Sequence, residues 1–296
     1  MTSKKFSDFP KSAQYITPLG TQAYFPDYLP ESRQYYKAYI DRFNELLISE
    51  TSSENLYKKI QKGKDSKTRI QLLRIFRKYI SPVTSVEMLK TKKNTNQICN
   101  DFGDTFRPID EVRELVQSED VDVTLSALLW EYKDRGSSGY ELTDLFFTSF
   151  EDLLGDDFEI IGPRREGKDV DLSQVLDAWS EKTPADFVIR DKSTEEILVI
   201  GFARYDQDRG GAQEDDRISG NAAKILRLIS YNESNEGRLK CLFVNDGPGL
   251  LLGSMWDDYK SLEEEGGDYV RVATLKMIND IVTSEWILAD PSNTIL

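Results

Sequence analysis

Apolar and polar residues recur along the chain with two periods, and the change between them divides the sequence. In the first half the period is helical. Residues 33–49, containing YYKAYIDRFNELL, space aromatic and aliphatic side chains three and four apart and predict a helix. Residues 68–79 (TRIQLLRIFRKYI with its flank) predict a second, basic helix. Ile70, Leu73, Ile75, Phe76 and Ile80 make its apolar face, while Arg69, Arg74, Arg77 and Lys78 lie mostly elsewhere. Pro82 stops it, and Ser85 is placed to cap a short helix in SPVTSVEMLK. Residues 109–133 add one or two acidic helices. Residues 1–32, rich in Pro, Tyr and Ser, read as an irregular arm. The stretch DRGSSG at 134–139 is the best internal boundary, giving a mainly helical region 1–135 and a second region 136–296.

Beyond that boundary the pattern mixes both periods. Residues 140–154 form an amphipathic helix, and 158–163 read as a strand ending in a turn. ADFVIRD (185–191) and EEILVIGFARYD (195–206) read as two strands joined by the turn DKST, hence a hairpin. A helix at 213–231, a buried strand at 239–246 and a strand or helix at 269–278 follow. The order α-β-β-β-α-β, with a crossover helix before the last strand, predicts an α/β (α+β) fold: a mixed β-sheet flanked by helices.

Composition narrows the chemistry. The 296 residues are 39% hydrophobic and 30% charged, as in a globular protein with a core. Histidine is absent, which removes the usual Ser-His-Asp and Cys-His catalysis and His-ligated zinc. Only Cys99 and Cys241 are present, too few for a disulfide scaffold, so both are expected as reduced thiols. No apolar run approaches the ~18 residues of a membrane span, and MTSKKFSDFPKS lacks a signal-peptide core. A cytoplasmic protein with no membrane partner is therefore expected. Any catalysis is left to carboxylates, Lys or Arg and a hard cation held by oxygens.

Charge is distributed unevenly. The net charge is −14, yet residues 58–93 carry +10, leaving −24 on the rest. A basic island on an acidic body is a footprint for phosphate, or simply a solvated helical surface.

Several residues could carry chemistry. Asp186 opens a strand whose next residues are apolar, a costly place for a carboxylate unless it binds something or stays in solvent. Strand alternation puts Phe202, Arg204 and Asp206 on one face. Arg204 can then meet Asp186 across the hairpin, as a stabiliser of transition-state charge or as a structural ion pair. Glu214 lies four residues before Ile218 on the helix stripe Ile218, Ala222, Ile225 and Ile229, so it is expected to point toward the sheet; acids in a first turn also serve as caps. Glu141, four before Leu145, is expected to reach the same place from the sheet's end. Arg209, Gly210 and Gly211 form a loop able to approach a phosphate closely, or merely to turn. Asp246 ends a buried strand, and Trp256 reads as core.

Taken together, GYELTDLFF, IIGPRREGKDVDL, TPADFVIRD, ILVIGFARYDQDRGGAQEDDR and VNDGPG resemble a type II restriction endonuclease of the PD-(D/E)XK superfamily, over roughly residues 130–280. The resemblance makes Pro184-Ala185-Asp186 a stretched PD element and Phe202-Ala203-Arg204 the counterpart of (D/E)XK. Phe202 stands where an acid is usual and Arg204 where Lys is usual. It implies Asp186, Arg204, Glu214 and Glu141 as the catalytic set, with Mg²⁺ on Asp186 and Glu214. It further implies a homodimer or higher oligomer that cleaves double-stranded DNA at a short specific site, leaving 5′-phosphate ends. Arg74, Arg77, Lys78, Lys92, Lys93 and Arg209 are the expected phosphate contacts. A DNA-binding protein with a decayed nuclease core, another Mg²⁺-dependent phosphodiesterase and an acidic interaction module remain as alternatives.

Overall fold

The chain folds into two units, one helical and one built on a β-sheet flanked by helices. The computed structural model describes residues 3–20, 24–116, 119–131, 133, 137–165, 167–207, 212–235 and 237–291. One unit comprises Gln22–Arg135; the other joins Met1–Thr21 to Gly136–Leu296. The N-terminal arm therefore packs with the second half of the chain, not with the helical region its position suggests. Its apolar Phe6, Phe9 and Ile16 are buried in that core.

The helical unit follows the predicted periodicity. Helix α1 (Leu29–Ser49) starts earlier than the pattern suggests, with Pro30 in its first turn, where no N–H is needed. It buries Tyr36, Ile40, Phe43 and Leu47, one stripe at four-, three- and four-residue steps. Helix α2 (Ser53–Gln61) is capped by Ser52, which accepts the Asn55 N–H at 3.2 Å. Helix α3 (Ser66–Tyr79) is capped by Asp65, which accepts the Thr68 N–H at 2.7 Å. Ser85 caps α4 (Val86–Leu89) as its position predicts, accepting the Met88 N–H at 3.1 Å. Helices α5 (Thr95–Phe102), α6 (Ile109–Leu115) and α7 (Glu119–Trp130) complete the unit. Tyr36, Phe43, Tyr57 and Phe76 fill its centre.

The second unit is a mixed sheet between helices. Its elements are α8 (Ser137–Leu154), β1 (Phe158–Ile161), β2 (Val170–Asp171), α9 (Leu172–Val175), β3 (Pro184–Ala185), β4 (Phe187–Asp191) and β5 (Ile197–Tyr205). Then come α10 (Ala212–Asn235), β6 (Lys240–Asp246), α11 (Met255–Gly266), β7 (Val270–Ala273), α12 (Ile278–Ile281) and α13 (Ser284–Leu288). The sheet order is β1-β4-β5-β6-β7. The β1–β4 and β4–β5 pairs are antiparallel; β5–β6 and β6–β7 are parallel. A parallel step needs a long crossover, and α10 supplies it between β5 and β6. Between β4 and β5, Asp191 Oδ1 accepts the N–H groups of Ser193 (2.7 Å) and Thr194 (3.1 Å), which closes the hairpin turn.

The two faces of the sheet are covered differently. Phe187 faces α8, where its ring meets Phe146 and Phe147. Across the hairpin, Phe187 pairs with Gly201, and a Cβ there would lie 2.0 Å from the Phe187 ring; only glycine admits the ring. Phe202, the next residue, turns to the opposite face, that of α10. Trp256 is buried in the core of this unit. Both cysteines are free: Cys241 is buried and Cys99 half-buried. Among the described residues no helix is long and apolar enough to cross a membrane.

Candidate active site

The predicted strand at 185–191 is broken in two, and Asp186 sits at the break. Its neighbours Pro184 and Ala185 form β3 and pair with β2 in a separate two-stranded ladder; β4 begins at Phe187. The Asp186 N–H donates to the Gly201 carbonyl at 3.0 Å, holding the residue against β5. Its Oδ2 accepts the Ala203 N–H at 2.8 Å. The carboxylate is thus pinned where the antiparallel hairpin meets the first parallel strand.

Two further groups act on it. In the small ladder Val170 pairs with Ala185 and Asp171 with Pro184, so Asp169 is the next residue opposite Asp186. Directly opposed residues of an antiparallel pair are near neighbours. Burial pushes the Asp186 carboxyl above its ordinary range; the Ala203 N–H opposes this, the negative Asp169 adds to it, and positive Lys224 opposes it. Lys224 comes from α10. Its Nζ lies 3.8 Å from the centroid of the Phe202 ring and donates to Asn221 Oδ1 at 3.1 Å. Burial lowers the Lys224 ammonium, Asp186 works against that shift, and Arg204 adds to it.

The expected residues part company here. Arg204 does not pair with Asp186: its Nε donates to Asp206 Oδ1 at 2.9 Å. The two are two positions apart on one strand face, and the buried Asp206 needs a cationic partner more than the half-buried Asp186 does. Glu141 acts electrostatically on Tyr205, on the opposite strand face from Arg204, so it does not join the Asp186 cluster. Its Oε2 is buried without a hydrogen-bond partner among the described residues. Arg209 lies outside the described residues, and of Glu214 the backbone in α10 is described but not the side chain. Asp246 is a structural hub, accepting the N–H groups of Thr17 (2.9 Å), Gly247 (2.7 Å) and Leu275 (3.0 Å).

The expected phosphate contacts also divide. Arg77 Nε is tied to the Thr84 carbonyl at 2.9 Å, Arg74 donates to Gln71 at 3.2 Å, and Lys92 donates to the Gly63 carbonyl at 3.1 Å. Lys78 and Lys93 are exposed.

Asp169 and Lys224 were not picked out by sequence reasoning. Lys224 had a signal: it stands four residues before Leu228, which is fully buried, the same spacing that singled out Glu214. Asp169 had none, because its position depends on the register of a two-residue ladder.

Charge-coupled carboxylates at a partly buried position suit a hard, oxygen-seeking cation. Asp169 and Asp186 fit Mg²⁺ in donor type, and the upward push on Asp186 from burial and from Asp169 is what a divalent cation would relieve. No group of three or more acidic, Cys or His ligands occurs among the described residues. The remaining ligands would have to be water, backbone carbonyls or Glu214. No protein-family model matches the chain, and no curated protein matches its sequence.

Proposed function

We propose that this chain is a Mg²⁺-dependent endonuclease of the type II restriction class, on a divergent PD-(D/E)XK core, acting as a homodimer on a short duplex DNA site. The observation that carries the reading is the coupling of Asp186, Asp169 and Lys224 at the mouth of the β4–β5 hairpin. The superfamily pattern asks for carboxylates and a lysine around one strand pair. Here Lys224 from the crossover helix answers for the missing strand lysine, and Phe202, in place of an acid, seats that lysine under its ring.

Roles follow from position. Asp186 and Asp169 would hold the cation, with Glu214 as a further ligand by resemblance. When bound, Mg²⁺ supplies Lewis-acid stabilisation of the phosphate and lowers the pKa of water. The Lys224 ammonium, partly desolvated, faces the negative charge that develops on a phosphodiester in its transition state, where a fixed cation acts most strongly. Phe202 keeps bulk water from that ammonium. Arg204, held by Asp206, supplies positive potential nearby rather than a proton.

The test is cleavage of a duplex library containing every short palindrome and interrupted palindrome, with Mg²⁺ and with EDTA. Discrete Mg²⁺-dependent fragments with 5′-phosphate ends are expected. Asp186→Asn and Asp169→Asn should each cut roughly a thousandfold more slowly. Phe202 in the acid position and Arg204 committed to Asp206 favour a second reading, a DNA-binding protein on a decayed core. Specific binding without cutting across the library would select it.

A further inference from the structure

We propose that the helical unit holds the phosphate backbone of duplex DNA in a groove lined by Arg42, Lys59, Lys62, Lys64 and Arg69. The proposal rests on the nuclease reading only for the identity of the polyanion. The groove measures about 420 Å³, and its five cations face one acid, Asp65. That carboxylate is engaged in capping α3, where the Thr68 hydroxyl and N–H both hold its pKa down.

The groove is built rather than incidental. The turn after α2 that carries Lys62 and Lys64 is braced from two later segments. Lys92 Nζ donates to the Gly63 carbonyl at 3.1 Å. Arg69 donates to Gln61 Oε1 at 3.0 Å and to the Lys90 carbonyl at 2.8 Å, while Gln61 Nε2 donates to Tyr57 Oη at 2.9 Å. Lys62 and Lys64 themselves are exposed and make no hydrogen bond or ion pair among the described residues. Arg42 and Lys59 are balanced in part by Glu45 (2.6 Å) and Glu50 (3.7 Å). A rigid turn offering two uncommitted ammonium groups beside a concave basic wall suits a repeating anion, and phosphates of a nucleic-acid backbone repeat at fixed spacing.

This assignment differs from the contacts read off the basic run. Arg77 and Lys92 hold the fold together, and the contact falls to Lys62 and Lys64. The charge balance agrees: Gln22–Arg135 carries +1, against −15 on the rest of the chain, so the polyanion is steered to the helical unit.

Fluorescence anisotropy of the full chain with a short labelled duplex, in EDTA and over a salt series, tests the proposal. Wild type should bind, and the paired variant Lys62→Gln/Lys64→Gln should lower the slope of log K against log[salt] by about 2, near 0.9 per lost phosphate contact. Arg42→Gln/Lys59→Gln should lower it less, and Lys276→Gln, an exposed lysine of the other unit, not at all. A wild-type slope in the Lys62/Lys64 variant, failure of wild type to bind duplex, or tighter binding of the single strand would overturn the assignment. Asp186→Asn should bind with the wild-type slope while failing to cut. Binding through the groove without cutting removes the nuclease reading alone, and cutting with an unchanged salt slope removes the groove alone.

Discussion

The two units bury polar groups in opposite ways. In the helical unit the buried polar residues among the described ones are Ser32, Ser53, Gln61, Gln71, Ser81, Thr84 and Ser126, all uncharged. In the sheet unit Asp206, Asp246, Glu263, Lys240 and Arg271 are buried as well. Burying a charge is costly unless hydrogen bonds replace its water, and the sheet unit supplies them largely from backbone. Glu263 accepts the N–H of Phe6 at 2.7 Å and of Val272 at 3.1 Å. Lys240 donates to the carbonyls of Ile287 (2.9 Å) and Ala289 (2.5 Å), and burial still lowers its ammonium to about 8. Among the described residues the helical unit has no buried charged residue, so its charges can meet a polyanion. The sheet unit keeps several inside, where they fix segments distant in sequence and perturb the groups that could do chemistry. Beside its buried apolar side chains, the N-terminal arm is tied to the sheet unit in this way: the N–H groups of Phe6 and Thr17 satisfy Glu263 and Asp246.

Emptying one core at a time tests this contrast most severely. Phe187→Ala and Phe76→Ala each delete a fully buried ring and should each cost about 3–5 kcal/mol. If the units are separate cooperative bodies, calorimetry should show Phe187→Ala lowering one transition and Phe76→Ala another. A common shift in both variants would mean that the chain unfolds as one.

Next in size is the split between two cations of the sheet unit. Lys224→Met should slow Mg²⁺-dependent cutting by roughly 10²–10³-fold, near the effect of removing one preorganised charge stabiliser. Arg204→Lys should cost much less, because Arg204 is engaged with Asp206. The reverse ranking would return the catalytic role to Arg204.

A change of pH should separate the units further. Burial raises the carboxyls of Asp186, Asp246 and Glu263 in the sheet unit. A raised carboxyl contributes stability that is complete below its unfolded pKa and is lost as pH rises through its folded value. As pH falls from the folded value of each of these carboxyls toward the ordinary carboxyl range, the sheet unit should therefore gain stability. In the helical unit the carboxyl of Asp65 moves the other way, downward, and the stability it contributes is lost only below the ordinary Asp range. The helical transition should stay nearly level over the same window, and a parallel rise of both midpoints would contradict this. At the small end, Lys37→Ala, which breaks an exposed pair with Asp41 at 3.1 Å, should change the stability of the helical unit by less than about 0.5 kcal/mol.

Local elements were legible in the chain alone. Helical spacing marked α1, α3, α8 and α10; alternation and the DKST turn marked the hairpin; Ser85 marked a cap. Each of these rests on interactions within a few residues, so period and composition suffice to read them. Asp186 was legible for the same reason, as a carboxylate placed just ahead of an apolar strand. Its company was decided by the tertiary structure. Asp169 reaches it through the register of β2 on β3, Lys224 through the rotation of α10 over Phe202, and Arg204 leaves it for Asp206. Register and helix rotation are set by the summed packing of distant segments, which a local pattern constrains to a face but not to a partner.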